Sequence, residues 1–99
     1  MELKKTAVAG TMESSDIMVT ITPSSSGGIE IELNSPVEKE FGYEIRNVIS
    51  ETLKELGVFN AKITAVDKGA LDCVIRARVE TAVYRASSEK KYIWEGAQK

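Results

Sequence analysis

Histidine is absent from the 99 residues of the chain. Ser-His-Asp and Cys-His triads need an imidazole that titrates near neutrality, so both are excluded, and histidine-ligated zinc with them. Cys73 is the single cysteine, which permits neither an internal disulfide nor a cysteine-rich metal site and agrees with a reducing compartment. No apolar run approaches the roughly 18 residues of a membrane span. Met1-Glu-Leu-Lys-Lys lacks the following apolar stretch of a signal peptide, so the expectation is a cytoplasmic protein with no membrane contact. A basic excess is missing too: 13 Lys and Arg stand against 15 Asp and Glu, and nothing is left over to neutralise a phosphate backbone. Nucleic acid is therefore not an expected partner.

What is present is a folding composition. Apolar residues make up 42% and charged residues 28%, close to globular averages and far from those of disordered chains. The length fits one domain, with a radius of gyration of roughly 13 Å. Charge is uneven, since residues 1–67 carry 6 basic and 11 acidic side chains and residues 68–99 carry 7 and 4. Such a split marks either a solvated face or a surface that meets a protein partner.

Lys5–Gly10 reads as a short first strand, followed by the aperiodic loop Gly10–Asp16. From Asp16 to Thr22, Ile17, Val19 and Ile21 alternate with polar residues as in a strand with one buried side. Pro23-Ser-Ser-Ser-Gly-Gly28 breaks that run. Ile29, Ile31 and Leu33 resume it, so the two runs predict a hairpin. Ser35-Pro36-Val37-Glu38 has the form of a capping box with proline at the first helical position. The helix it opens, about 36–56, is stopped by Gly57. Its stripe of Val37, Phe41, Ile45, Val48, Ile49, Thr52, Leu53 and Leu56 is expected on the sheet, and Gly42 marks a close backbone approach. Ala61–Val66 reads as a strand, with Gly69 placed for a left-handed turn into Leu71, Cys73, Ile75 and Ala77. These predict a second hairpin, with Cys73 on its inner face as a small hydrophobe. A short helix over about 79–87 follows from Val79, Ala82, Val83 and Ala86. The expected fold is thus α+β: one domain over residues 1–87, an antiparallel sheet of two hairpins plus a short first strand, and both helices on one face. Residues 88–99 are expected to form a loosely ordered polar tail, its Tyr92-Ile93-Trp94 cluster either folding back or docking on a partner.

Core building does not explain Gly10-Thr-Met-Glu-Ser-Ser-Asp16, which sets two hydroxyls beside two carboxylates. A plain solvated loop with an Asx-type bond at Asp16 is the ordinary reading. Neither Ser14 nor Ser15 has an evident base, so chemistry at either belongs to another protein. Glu13 and Asp16 suit turn roles or recognition of the loop. Arg76, Arg78 and Arg85 suit a solvated face or contacts with phosphate or an acidic partner. No catalytic residue and no metal ligand stands out.

Three stretches resemble the acyl carrier protein, or gamma subunit, of citrate lyase. They are Lys5-Thr-Ala-Val-Ala-Gly-Thr-Met-Glu-Ser-Ser-Asp16, Ser35-Pro-Val-Glu-Lys-Glu-Phe-Gly42, and Val66-Asp-Lys-Gly-Ala-Leu-Asp-Cys-Val-Ile-Arg-Ala-Arg-Val-Glu-Thr-Ala82, running on to Arg85-Ala86. The carrier of malonate decarboxylase shares part of the loop pattern, but the Asp67–Arg78 stretch matches citrate lyase better. The resemblance implies a non-catalytic subunit bearing 2'-(5''-phosphoribosyl)-3'-dephospho-CoA as a phosphodiester on Ser14, with Ser15 the rival and Gly10, Glu13 and Asp16 supporting the loop. It further implies partners: an alpha acyl transferase subunit, a beta citryl lyase subunit and a prosthetic-group transferase. The arm would hold acetyl and citryl thioesters while citrate is cleaved to oxaloacetate and acetate. Without that resemblance, the residues also fit a small unmodified adaptor or regulatory domain that binds a partner.

Overall fold

In the computed structural model, which describes residues 1–87, the alternation of Ile17, Val19 and Ile21 sends all three side chains into the core. They lie on β2 (Ile17–Pro23), one of four strands with β1 (Ala7–Ala9), β3 (Gly28–Asn34) and β4 (Asn60–Asp67); α1 (Glu38–Glu55) and α2 (Asp72–Ser87) complete the chain. The sheet order is β1-β2-β4-β3. Register aligns Ala7, Ile21, Ile63 and Ile31 in one row and Ala9, Val19, Ala65 and Leu33 in the next. The helices bury Ile45, Val48, Ile49 and Leu53 from α1 and Ile75, Val79, Ala82, Val83 and Ala86 from α2 in one cluster with these rows. Both helices therefore cover one face, and exposed Val8, Glu30, Glu32 and Lys62 mark the other. The radius of gyration is 12.9 Å, and among the described residues no helix is long and apolar enough to cross a membrane.

The α+β class, the single domain and the two helices stand as expected, but the strand pairing does not. β2 and β3 form no hairpin: they flank β4, antiparallel and parallel to it respectively. Alternation fixes which face of a strand is buried, not which strand lies beside it. Parallel neighbours need a long crossover, and α1 between β3 and β4 is that crossover. The one hairpin pairs β1 with β2, so the Gly10–Asp16 loop is its tip.

The second hairpin is absent as well, because Asp72–Ala77 is the first part of α2 rather than a strand. Ile75, Val79, Ala82, Val83 and Ala86 are buried while Cys73 and Ala77 are exposed, the three- and four-residue spacing of a helix face. Asp67 Oδ1 accepts the Ala70 amide at 2.9 Å just ahead of the helix. One full turn and more is thereby added to the helix expected over 79–87. Cys73 consequently lies exposed and is no inner-face hydrophobe.

At α1, Val37 rather than Ser35 is the N-cap. Ser35 Oγ accepts the Val37 amide at 3.2 Å and donates to Asp67 Oδ2 at 2.8 Å. Glu38 pairs with Arg46 at 3.0 Å instead of closing a box. Phe41, expected on the sheet, is half exposed because the first turn of α1 faces the β4–α2 connection. Gly42 packs toward Leu33. Gly57, at φ +74, ends the helix in a Schellman arrangement, its amide bonding Lys54 O at 3.0 Å and that of Val58 bonding Leu53 O at 2.9 Å. The tail expected over 88–99, with Trp94, lies outside the described residues.

Candidate functional site

The β1–β2 tip is short of apolar side chains, and its shape comes from polar contacts. Gly10 turns the chain out of β1 at φ +95. A β-carbon there would run into the Ile17 carbonyl oxygen and stand 3.2 Å from Met18 Cα, so only glycine fits. Glu13–Asp16 is a β-turn closed by the Asp16 amide on Glu13 O at 3.1 Å. Ser14 and Ser15 occupy its corners. Ser15 alone has a positive φ, +66, the type II pattern in which the second corner is left-handed.

Asp16 is the loop's hub. Its Oδ1 accepts the Ile17 amide at 2.7 Å and Arg78 Nε at 3.0 Å, while Oδ2 accepts Thr11 Oγ1 at 2.6 Å and Arg78 Nη2 at 2.8 Å. Thr11 Oγ1 in turn accepts the Glu13 amide at 3.2 Å. This two-pronged guanidinium contact, with the Thr11 hydroxyl and the Ile17 amide, holds the Asp16 carboxyl far below the usual carboxylate range, and the Arg78 guanidinium is shifted upward in return. The loop is also fastened to the β4–α2 connection: the Ser15 amide donates to Lys68 O and the Lys68 amide to Asp16 O, both at 2.8 Å.

Within this frame the Ser14 and Ser15 hydroxyls are exposed, and among the described residues neither has a hydrogen-bond partner. Ser14 sits at the outer corner, whereas the Ser15 backbone is engaged by Lys68. Glu13 acts through its backbone, leaving its carboxylate in solvent. Among the described residues no His, Cys, Asp and Glu cluster could hold a metal ion. Of the two carboxylates in the loop, Asp16 is fully engaged and Glu13 makes no hydrogen bond to either serine, so the site presents a hydroxyl with no base bonded to it.

The structure brings Gly10, Glu13, Asp16 and Arg78 together with Ser14 but disperses the other arginines. Arg76 pairs with Glu55 at 2.7 Å across the two helices, and Arg85 Nη1 donates to Val8 O at 2.7 Å on β1. Each of the three guanidinium groups has an internal acceptor. Sequence reasoning missed Thr11 as a ligand of Asp16, the Lys68 backbone clamp, and Asp67, which joins the starts of both helices. The Asx-type bond expected at Asp16 was the one available signal.

The family profile described as malonate decarboxylase delta subunit (MdcD) matches residues 4–86. Streptococcus mutans has a citrate lyase acyl carrier protein 60% identical over 95 residues, covering 96% of this chain and 93% of that one. The chain belongs to the citrate lyase acyl carrier protein family. Further members are similar at 56% over 95 residues in Lacticaseibacillus casei, covering 96% of this chain and 93% of that one, and at 54% over 99 residues in Latilactobacillus sakei, covering 100% and 97%. Among solved structures, homoserine kinase from Cytophaga hutchinsonii superposes with a TM-score of 0.60 at 14% identity, over 94% of this chain but only 38% of that one. At that identity the likeness concerns the fold alone, which this carrier family shares with part of a larger chain.

Proposed function

We propose that this chain is the acyl carrier subunit of citrate lyase and that Ser14 Oγ carries 2'-(5''-phosphoribosyl)-3'-dephospho-CoA as a phosphodiester. Near full-length similarity to relatives named citrate lyase acyl carrier protein carries the functional reading. The site geometry suits the group: a covalent arm needs an oxygen that is exposed, unpartnered and mounted on backbone that does not drift. Ser14 meets those conditions. Ser15 has an equally exposed hydroxyl, but its residue adopts the left-handed corner and its amide is tied to Lys68.

When bound, the arm supplies a terminal thiol that holds acetyl or citryl as a thioester. This chain's own residues provide the mounting. Asp16, held by Arg78 and Thr11, fixes the turn, and the Lys68 clamp fixes its distance from the body. An arm on a fixed point raises the effective concentration of its acyl group at the alpha and beta subunits, so each transfer becomes an intramolecular event. With no base beside it, Ser14 requires a dedicated transferase for loading. The reading includes a non-catalytic role and a cytoplasmic location, in keeping with a lone, exposed thiol.

The test is intact mass followed by peptide mapping on the protein purified from its own source grown anaerobically on citrate. The expected result is an added mass of phosphoribosyl-dephospho-CoA, or its acetylated form, on the Ser14 peptide. Ser14→Ala should retain the fold and abolish lyase activity. The same adduct on Ser15 would correct the residue. An unmodified chain in active lyase would overturn the carrier role in favour of an adaptor.

A further inference from the structure

Beside the turn lies an open groove of about 470 Å³ between the first turns of α1 and the β4–α2 connection. Its apolar wall is Phe41, Ile45, Ala70 and Leu71, with Phe41 50% and Leu71 69% exposed. Large apolar side chains left together in solvent mark an interaction surface. The charged lining is one-signed: Glu44, Asp67 and Asp72, with no cation. The Ser15 amide donates to Lys68 O at 2.8 Å, and Gly69 and Ala70, next in the chain, line the groove. The Ser14 turn and the groove thus stand on either side of one hydrogen bond.

We infer that this groove is the docking surface for the enzyme that loads Ser14, which inserts an apolar side chain between Phe41 and Leu71 and sets Lys or Arg against the acidic rim. The inference rests on the carrier reading above. An enzyme that forms a bond to Ser14 Oγ must bring its active site to the turn and so covers the surface beside it, where Gly69 and Ala70 edge the groove. Subunits that act at the far end of a long arm are under no such constraint. The arm itself is a poor occupant, because its phosphates would face the exposed carboxylates of Glu44 and Asp72 with no cation in the lining. Opposite charge around an apolar anchor also speeds and orients encounter, and makes it salt-dependent.

The experiment uses the full-length unmodified chain, its purified transferase and the CoA-derived precursor, with binding followed by calorimetry and loading by intact mass. Leu71→Ala and Glu44→Lys, both at exposed positions, should melt like wild type, bind the transferase about tenfold more weakly and load correspondingly slowly. Wild-type binding should weaken as salt is raised. Ser14→Ala should bind as wild type and gain no mass. Hydrogen exchange on the unaltered protein is the second readout, with the amides of residues 69–72 expected to gain protection on adding transferase. Groove variants that bind and load at the wild-type rate, or no added protection at 69–72, would overturn the docking surface and leave the carrier reading intact. Protection of those amides by loading alone, without transferase, would make the arm the occupant and overturn it too. A wild-type chain that gains no mass from a transferase active on a related carrier would overturn the carrier reading itself, and the docking surface with it.

Discussion

Gly10→Ala tests how the loop is anchored, and its size follows from two separable effects. A non-glycine residue at left-handed φ is disfavoured by roughly 1–2 kcal/mol. Against this, replacing glycine by alanine restricts the unfolded chain and returns about 0.4–1 kcal/mol. At Gly69, where φ is +93 and nothing lies within 4 Å of an added β-carbon, these are the only contributions, and Gly69→Ala should cost about 0–1.5 kcal/mol. At Gly10 the added carbon also meets the Ile17 carbonyl, which begins a strand paired on both sides and has no freedom to retreat. Overpacking of that kind adds roughly 1–3 kcal/mol, for a total of about 1–4.5 kcal/mol. At about 4–8 °C per kcal/mol for a domain of this size, Tm should fall by roughly 4–35 °C. Calorimetric melts and urea titrations of both variants measure the difference directly. Equal stability of the two, within about 0.5 kcal/mol, would refute the steric account of the loop.

Three further outcomes follow from the same contacts. The Asp16 carboxyl is depressed in the folded state by Arg78, so its stabilisation is fully present above the unfolded value of 3.8 and is lost as pH falls from there toward the lower folded value. Melts across pH should show a constant gap between wild type and Asp16→Asn near neutrality that closes only in acid; a gap already closing above about pH 6 would contradict the assignment. Ser15→Gly relieves the left-handed corner and should leave stability within about 1 kcal/mol of wild type and loading at Ser14 intact, while β-branched Ser15→Val should be clearly destabilising in urea titrations. Cys73, exposed on α2, should react with a thiol reagent stoichiometrically under native conditions, whereas a strand-buried thiol would react only on unfolding.

Local rules were legible in the sequence and remote ones were not. β2, the body of α1 and its Gly57 stop are written in periods and glycines that act within a few residues. The order of strands is not, because Ile29, Ile31 and Leu33 alternate identically whether β3 lies beside β2 or β4. Over Leu71–Ala77 two periods competed, and the helical one prevailed because only a helix brings Ile75, Val79, Ala82, Val83 and Ala86 to one face while leaving Cys73 and Ala77 exposed. The loop around Ser14 was legible as the one stretch that core building does not explain. The Asp16–Arg78 pair was not, since the two residues are 62 apart and meet only when α2 packs on β2.

The place of β4 in the sheet has a consequence for the order of events on the ribosome. β2 and β3 have no bond to each other, and the strand that joins them begins only at Asn60. A nascent chain shorter than that holds one small hairpin and a strand without a neighbour, so assembly awaits contacts some fifty residues apart, such as Ile17 with Asp67. Such distant pairing slows folding and leaves strand edges open meanwhile. The clamp on the Ser15 amide comes from Lys68, and the guanidinium on Asp16 from Arg78, both later still. An enzyme that reads the shape of the turn therefore meets that shape only on a finished chain, so on the proposed reading loading of Ser14 would report that the chain has folded.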